Sequence, residues 1–116
     1  MADSRIALLV ERLHERTLNN RLLWEKTVDV GVYQVVSGVH SIHVAKREDR
    51  DSWGNLIGHD FALEIYDEEG TLIEEIGAKD LEASALEKLK ELYELARRQA
   101  MGVDKIIDSL LSELES

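Results

Sequence analysis

The histidines are the residues of this chain best suited to chemistry, because imidazole is the commonest metal ligand and a frequent general base. His40 and His43 stand three positions apart in a segment rich in β-branched residues. On a β-strand an odd spacing directs two side chains to opposite faces, so this pair does not chelate a metal from one strand. His40 is in phase with Ile42 and Val44. This phase favours a hydrogen-bonded histidine at the core or its rim over a ligand.

His59 and Asp60 form a second candidate, next to a polar segment that contains glycine. They would form a ligand set or an acid–base pair with His43 if the fold brought the strands that carry them side by side. The alternative is a loop histidine beside an aspartate at the start of a strand. One candidate enzyme site therefore follows from the sequence, with His43, His59 and Asp60 on the open face of a sheet.

Other catalytic and cofactor motifs are not found in the sequence. The acidic turn at residues 67–70 lacks the alternating aspartates and the distant glutamate of an EF-hand loop. Glu74 and Glu75 are adjacent, so on a strand they point to opposite faces and do not form a glycosidase pair. The chain has no cysteine, which excludes thiol catalysis, cysteine zinc sites and iron–sulfur clusters. We expect no cofactor and no stoichiometric metal ion.

The net charge limits the partners. The chain has 116 residues, with 24 Asp plus Glu against 14 Lys plus Arg, a formal net charge of −10. Nucleic acids and anionic membranes are bound mainly by clustered basic side chains. We therefore expect neither as a partner, and we expect the acidic surface to favour a basic protein. The basic cluster Lys46, Arg47 and Arg50 lies near Trp53, an arrangement that in other proteins contacts phosphate and stacks a base. Here the cluster is interrupted by acidic residues, which favours a solvated loop of mixed charge.

Trp53 stands in the polar segment from Lys46 to His59, which we interpret as the longest exposed loop. An aromatic residue in such a loop either folds back over the sheet as a lid or stays exposed as a binding anchor. Both alternatives remain open at the level of the sequence.

The hydrophobic pattern predicts one α+β domain over residues 1–116. An amphipathic N-terminal helix, capped by Asp3 or Ser4, precedes Trp24, which we expect to plug one end of the core. Apolar residues then alternate from Val28 onwards in two consecutive hairpins, which predicts a four-stranded antiparallel meander. The period changes to 3.6 after Gly77, and this change predicts two C-terminal helices separated at residue 102. Asp80 is the expected N-cap of the first of these two helices.

The last helix carries an apolar stripe, called here the C-terminal stripe, at the three-and-four spacing of a helix face. The first two helices are expected to cover the one sheet face available, so the stripe would have no surface left to cover in its own chain. We therefore predict that residues 102–116 are an oligomerisation helix, most simply in a symmetric homodimer. The alternative is that this helix folds back on its own domain and that the protein is a monomer. The stripe consists of Val103, Ile106, Ile107, Leu110, Leu111 and Leu114.

The expected location is the cytoplasm. Residues 1–5 lead directly into an amphipathic segment and not into an apolar signal region. No apolar run approaches the ~20 residues that span a bilayer. The absence of cysteine fits the same location.

The layout resembles a group of small, uncharacterised bacterial proteins. These begin with an amphipathic helix that leads into Trp-Glu-Lys-Thr, pass through a short meander and end in a charged helical tail. The matching segments are residues 23–27 (LWEKT), 41–44 (SIHV), 63–70 (LEIYDEEG) and 92–104 (LYELARRQAMGVD). The resemblance covers most of the chain and implies the order helix, meander, two helices, with no activity, cofactor or catalytic residue attached.

These observations predict a non-catalytic, cytoplasmic protein-interaction or regulatory domain that acts as a small acidic partner protein. Its expected partners are a second copy and a basic protein. Its expected contacts are Trp53 and five residues of the C-terminal stripe: Ile106, Ile107, Leu110, Leu111 and Leu114. The alternative is a small metal-dependent or small-molecule-binding enzyme that uses His43, His59 and Asp60.

Overall fold

Five antiparallel strands and three helices make up the computed structural model, which describes residues 4–116. The strands are β1 (Glu25–Lys26), β2 (Val32–Ser37), β3 (His40–Arg50), β4 (Leu56–Tyr66) and β5 (Leu72–Ile76). The helices are α1 (Ser4–Leu18), α2 (Ala83–Met101) and α3 (Val103–Glu115), and a 3-10 turn (Ala78–Asp80) precedes α2. The predicted cap Asp3 lies outside the described residues.

The α+β class and the meander are confirmed, but the predicted number of strands is wrong. The strands are neighbours in chain order, β1-β2-β3-β4-β5. The additional strand is β1, a two-residue edge strand that pairs Glu25 with Gln34 and Lys26 with Tyr33. Two residues are too few to show an alternating pattern, so β1 leaves no signal in the sequence.

The first long strand begins later than predicted. Val28 and Val30 alternate like strand residues, yet both are fully exposed in the connection before β2. The Thr27 hydroxyl lies 3.0 Å from the Val32 carbonyl oxygen and accepts the Asp29 N–H at 3.1 Å. These local hydrogen bonds hold the connection as a turn, because a threonine hydroxyl competes with strand pairing for backbone groups.

The segment interpreted as the longest loop is instead a β-hairpin. β3 and β4 pair without interruption through Arg47↔Asp60, Glu48↔His59 and Asp49↔Gly58. β2 and β5 end before this level, so residues 47–60 extend beyond the sheet as a two-stranded ribbon, called here the β-arm. A ribbon with neither face covered has no apolar alternation, and its sequence therefore resembles a loop.

The start of α2 also differs from the prediction. Asp80, expected as its N-cap, belongs to the 3-10 turn, where its carboxylate accepts the Gly77 N–H at 2.9 Å. Glu82 occupies the N-cap position. The 3-10 turn thus inserts between the sheet and α2.

The core lies between α1, α2 and one face of the sheet. The residues that line it are Val10, Leu13, Trp24, Tyr33, Val35, Ile42, Val44, Leu63, Ile76, Leu89, Leu92, Tyr93 and Ala96. Trp24 is buried, as predicted. Its indole N–H donates to the Thr17 hydroxyl at 2.8 Å, and its backbone N–H donates to the Gln99 side-chain oxygen at 3.1 Å. These bonds join the ends of α1 and α2 to the residue that immediately precedes β1.

Helix α3 leaves the body of the domain at Gly102, which takes the left-handed conformation at φ 63°. Arg98 and Asp104 span this corner with a hydrogen bond of 2.7 Å. The radius of gyration is 15.9 Å, against about 13 Å for a compact chain of this length. The projecting β-arm and α3 account for the difference. Among residues 4–116, no helix is long and apolar enough to cross a membrane.

Candidate interaction surfaces and the open face of the sheet

The C-terminal stripe lies on an uncovered helix. At about 100° per residue, its six side chains fall within a sector of about 140°. No residue between Val103 and Glu115 is buried. The five stripe residues after Val103 are exposed by 43% (Ile107) to 81% (Leu114). A surface helix normally turns such a stripe towards a core.

The reason that the stripe is uncovered lies in the packing of the other helices. α1 and α2 pack on each other, and α2 crosses β1, β2, β3 and β4. Leu89, Leu92 and Ala96 of α2 are fully buried there. The covered face of the sheet is therefore occupied before the chain reaches α3.

The turn of the β-arm is built around Asp51. Its carboxylate accepts the N–H groups of Trp53 and Asn55, both at 2.9 Å, and Gly54 takes the left-handed conformation at φ 83°. Backbone hydrogen bonds to the carboxylate, that from Asn55 above all, hold the pKa of Asp51 below its ordinary value. The Trp53 side chain takes no part in the turn and is 86% exposed.

The other long hairpin repeats this turn with a different residue in place of Trp53. Asp67 accepts the N–H groups of Glu69 and Thr71 at 2.9 Å each, and Gly70 has φ 84°. Glu69 occupies the position that corresponds to Trp53. The backbone geometry thus requires no aromatic residue there. The lid alternative is wrong, and the exposed indole fits the binding-anchor alternative.

The predicted histidine site is not assembled. The sheet face away from the helices is called here the open face. Paired residues of neighbouring strands share a face, and both His43 and Asp60 lie on the open face. His43 is paired with Glu64, and Asp60 is paired with Arg47. These two pairs are four register positions apart, about 13 Å along the strands. His59 is two positions from Phe61 on β4 and therefore lies on the same face of the strand, which is the face that packs towards the core. Across residues 4–116, no three His, Cys, Asp or Glu side chains are grouped so that they could hold a metal ion.

His40 lies at the first position of β3, opposite Ser37, and is exposed. It is therefore at the rim of the sheet and outside the core.

A different set of polar residues meets on the open face, called here the open-face cluster. Glu64 is buried, although it stands on a face that no helix covers. One of its oxygens accepts a hydrogen bond from Arg47, and the other accepts the Tyr66 hydroxyl at 3.2 Å. Arg47 also donates to Glu75 on β5 at 2.8 Å. His43 completes the cluster, with Nδ1 4.0 Å from Glu64 and its ring 4.4 Å from that of Tyr66.

The small residues beneath this cluster explain its burial. Arg47 stands opposite Asp60, while Glu64 stands opposite His43, so the arginine must reach back along the sheet. The pair between these two levels is Ala45↔Ala62, and both alanines are almost fully buried. We infer that the arginine stem covers them, as long basic side chains commonly do over apolar surface.

The electrostatics of the cluster stabilise an ion network and disfavour the charged form of the imidazole. Burial lowers the pKa of His43, and the nearby carboxylates of Glu64 and Asp29 oppose this only in part. The hydrogen bond with Glu75 is the main cause that raises the pKa of Arg47. Both oxygens of Glu64 are engaged within the cluster, so it can hold three strands together but offers no free acid–base pair.

Sequence reasoning did not find this cluster. Arg47 and Glu64 are 17 positions apart, and each appears as an ordinary surface charge in the sequence. The alanines at 45 and 62 are the available signal, because small residues at paired positions leave room for a long side chain. That signal can be recognised only once the register of β3 and β4 is known.

The comparisons with known proteins give no match: no family model, no curated protein and no solved structure matches the chain. The resemblance to small bacterial proteins therefore stays a prediction. The function has to be inferred from the surfaces of the chain itself.

Proposed function

We propose that this chain is a non-catalytic protein-interaction domain that docks onto its partner through α3. The observation that carries this proposal is the uncovered C-terminal stripe. An isolated helix of this length is marginal in water, because most helical stability in proteins comes from packing an apolar face. A helix with this pattern and no covered face is best explained by a partner that covers it.

The energy available to such a contact is substantial. Full burial of a large aliphatic side chain is worth roughly 1.5–3 kcal/mol, and five stripe residues are about half exposed or more. Burying their exposed parts would contribute about 1 kcal/mol each before the costs of association. The total from α3 is about 5 kcal/mol, which is comparable to the cost of association, so the partner must bury apolar surface of its own against the stripe.

Two occupants are proposed for the C-terminal stripe. One is a second copy of the chain, in a symmetric homodimer. The other is a basic protein for which this domain acts as a small acidic partner in the cytoplasm. Trp53 at the tip of the β-arm is proposed as a second contact, since an exposed tryptophan is typical of binding hot spots. The enzyme alternative is not proposed, because His43, His59 and Asp60 do not converge.

Site-specific photo-crosslinking in living cells tests this function. A photoreactive residue is placed at Leu110, on the C-terminal stripe, or at Ser112, on the opposite side of the same helix. We expect a discrete adduct from position 110 and none from position 112. An adduct of twice the chain mass identifies a second copy, and any other mass identifies another protein. Equal adducts from both positions, or none from either, would refute docking through this face.

A further inference from the structure

The charges on α3 distinguish between the two occupants. Asp104, Asp108 and Glu115 border the C-terminal stripe on one side, and Glu113 borders it on the other. Lys105 is the one basic residue of the helix and falls on the side away from the stripe. An apolar contact with this helix therefore has acidic margins on both sides.

These margins are available to a partner. Asp104 binds Arg98 at the corner between the helices. Within residues 4–116, Asp108, Glu113 and Glu115 form no ion pair. All three are exposed beside the apolar residues, so a basic side chain of a partner could reach them without displacing an internal contact.

A second copy is the poorer match for these margins. A symmetric contact between two α3 helices brings acidic margins against acidic margins, and like charges across a helix seam oppose pairing. The net charge of −10 on each chain adds to the repulsion. Helices that lie on anionic membranes have Lys and Arg on their polar face, which is the reverse of this pattern.

We propose that the partner of α3 is a protein surface with an apolar groove bordered by Lys and Arg side chains. This inference rests on the proposed docking role of the C-terminal stripe and names its partner by chemistry. Acidic margins and basic borders would set the orientation of α3 in the groove and speed the encounter at low salt. Homodimerisation would then be the weaker use of the same face, favoured when salt screens the carboxylates.

Two synthetic amphipathic helices serve as probes. They have the same length and the same leucine pattern, but one has lysine and the other glutamate at every polar position. Binding of each labelled peptide to the full chain is measured by fluorescence anisotropy at low and at physiological salt. We expect the lysine peptide to bind, with an affinity that falls as salt rises, and the glutamate peptide to bind at least about tenfold more weakly.

Variants separate docking from general charge attraction. Ile107→Asp with Leu111→Asp adds negative charge but removes part of the stripe, and Ser109→Asp with Ser112→Asp adds the same charge on the other side of α3. We expect the first pair to weaken binding of the lysine peptide at least about tenfold and the second pair to leave it unchanged or stronger. Ile107→Ser with Leu111→Ser repeats the first test without added charge, and circular dichroism checks that each variant stays helical.

Each result has a distinct meaning. Equal binding of both peptides, or equal binding by both aspartate variants, would overturn the basic-partner inference. A homodimer that requires Ile107 and Leu111 and excludes the lysine peptide at low salt would also overturn it, while the docking role of α3 would stand. If substitution of Ile107 and Leu111 changed neither peptide binding nor self-association, the proposed function would be refuted as well.

Discussion

Removal of the arginine from the open-face cluster should destabilise the domain far more than its surface position suggests. In Arg47→Met the aliphatic stem remains over the two alanines, but Glu64 loses its cation. The Glu64 side chain is 10% exposed, and hydrogen bonds to charged groups contribute about 1.5–3 kcal/mol. Removing one partner of a fully buried ion pair would cost about 3–5 kcal/mol of stability. The Arg47 side chain is 44% exposed, so water reaches it and weakens the ion pair. We therefore expect Arg47→Met to lower the free energy of unfolding by about 2 kcal/mol.

A double-mutant cycle measured by urea unfolding gives the coupling directly. Glu64→Gln removes the charge and keeps the shape. In the Arg47→Met background, Glu64→Gln should reduce stability by about 1–2 kcal/mol less than it does in the wild type. The reason is that Glu64→Gln then removes a buried carboxylate that has already lost its arginine. Glu75→Gln is the matched control, since Glu75 meets the same arginine with a side chain that is 45% exposed, and it should change stability by less than about 1 kcal/mol. Additive effects of Arg47→Met and Glu64→Gln, within about 0.5 kcal/mol, would refute the coupling.

Three further expectations concern self-association, the β-arm turn and pH. Sedimentation equilibrium should show a homodimer that strengthens with salt and is lost with Ile107→Asp and Leu111→Asp; a mass that ignores these changes would contradict the stripe as the contact. Trp53→Ser should change stability by no more than about 0.5 kcal/mol, whereas Gly54→Ala should cost about 1 kcal/mol or more because of its left-handed backbone; the reverse order would show that the indole supports the fold. His43 has a lowered pKa when folded, so the unfolded chain binds more protons and stability should fall as pH drops below about 6.5. His43→Gln should flatten that slope, and an unchanged slope would exclude His43 as its cause.

The parts of the fold with a strong internal pattern could be predicted from the sequence. The helices follow from apolar residues at three-and-four spacing, and the Asp67 turn follows from its aspartate and glycine. Trp24 was predictable as a core residue because its neighbours in the sequence are apolar. In each case the residues that carry the signal are close together along the chain.

The remaining features depend on contacts between distant segments. The β-arm looked like a loop because neither face is covered, and Val28 looked like a strand residue although Thr27 holds a turn there. Arg47 and Glu64 meet only because the register of β3 and β4 places small residues between them. The uncovered C-terminal stripe was predictable, since it required only that two helices fill one sheet face.

Unfolding of Leu111→Ala tests most directly whether α3 is a docking element and not part of the core. It is measured in urea at a concentration where sedimentation shows a monomer, beside Leu92→Ala on α2 as the matched control. Leu92 is fully buried, while Leu111 is 51% exposed. A buried leucine costs about 2–5 kcal/mol when truncated, so Leu92→Ala should lose that much. Leu111→Ala should lose no more than about 0.5 kcal/mol. A loss of about 2 kcal/mol or more from Leu111→Ala in the monomer would show that α3 packs on its own domain, and would contradict its role as a docking helix.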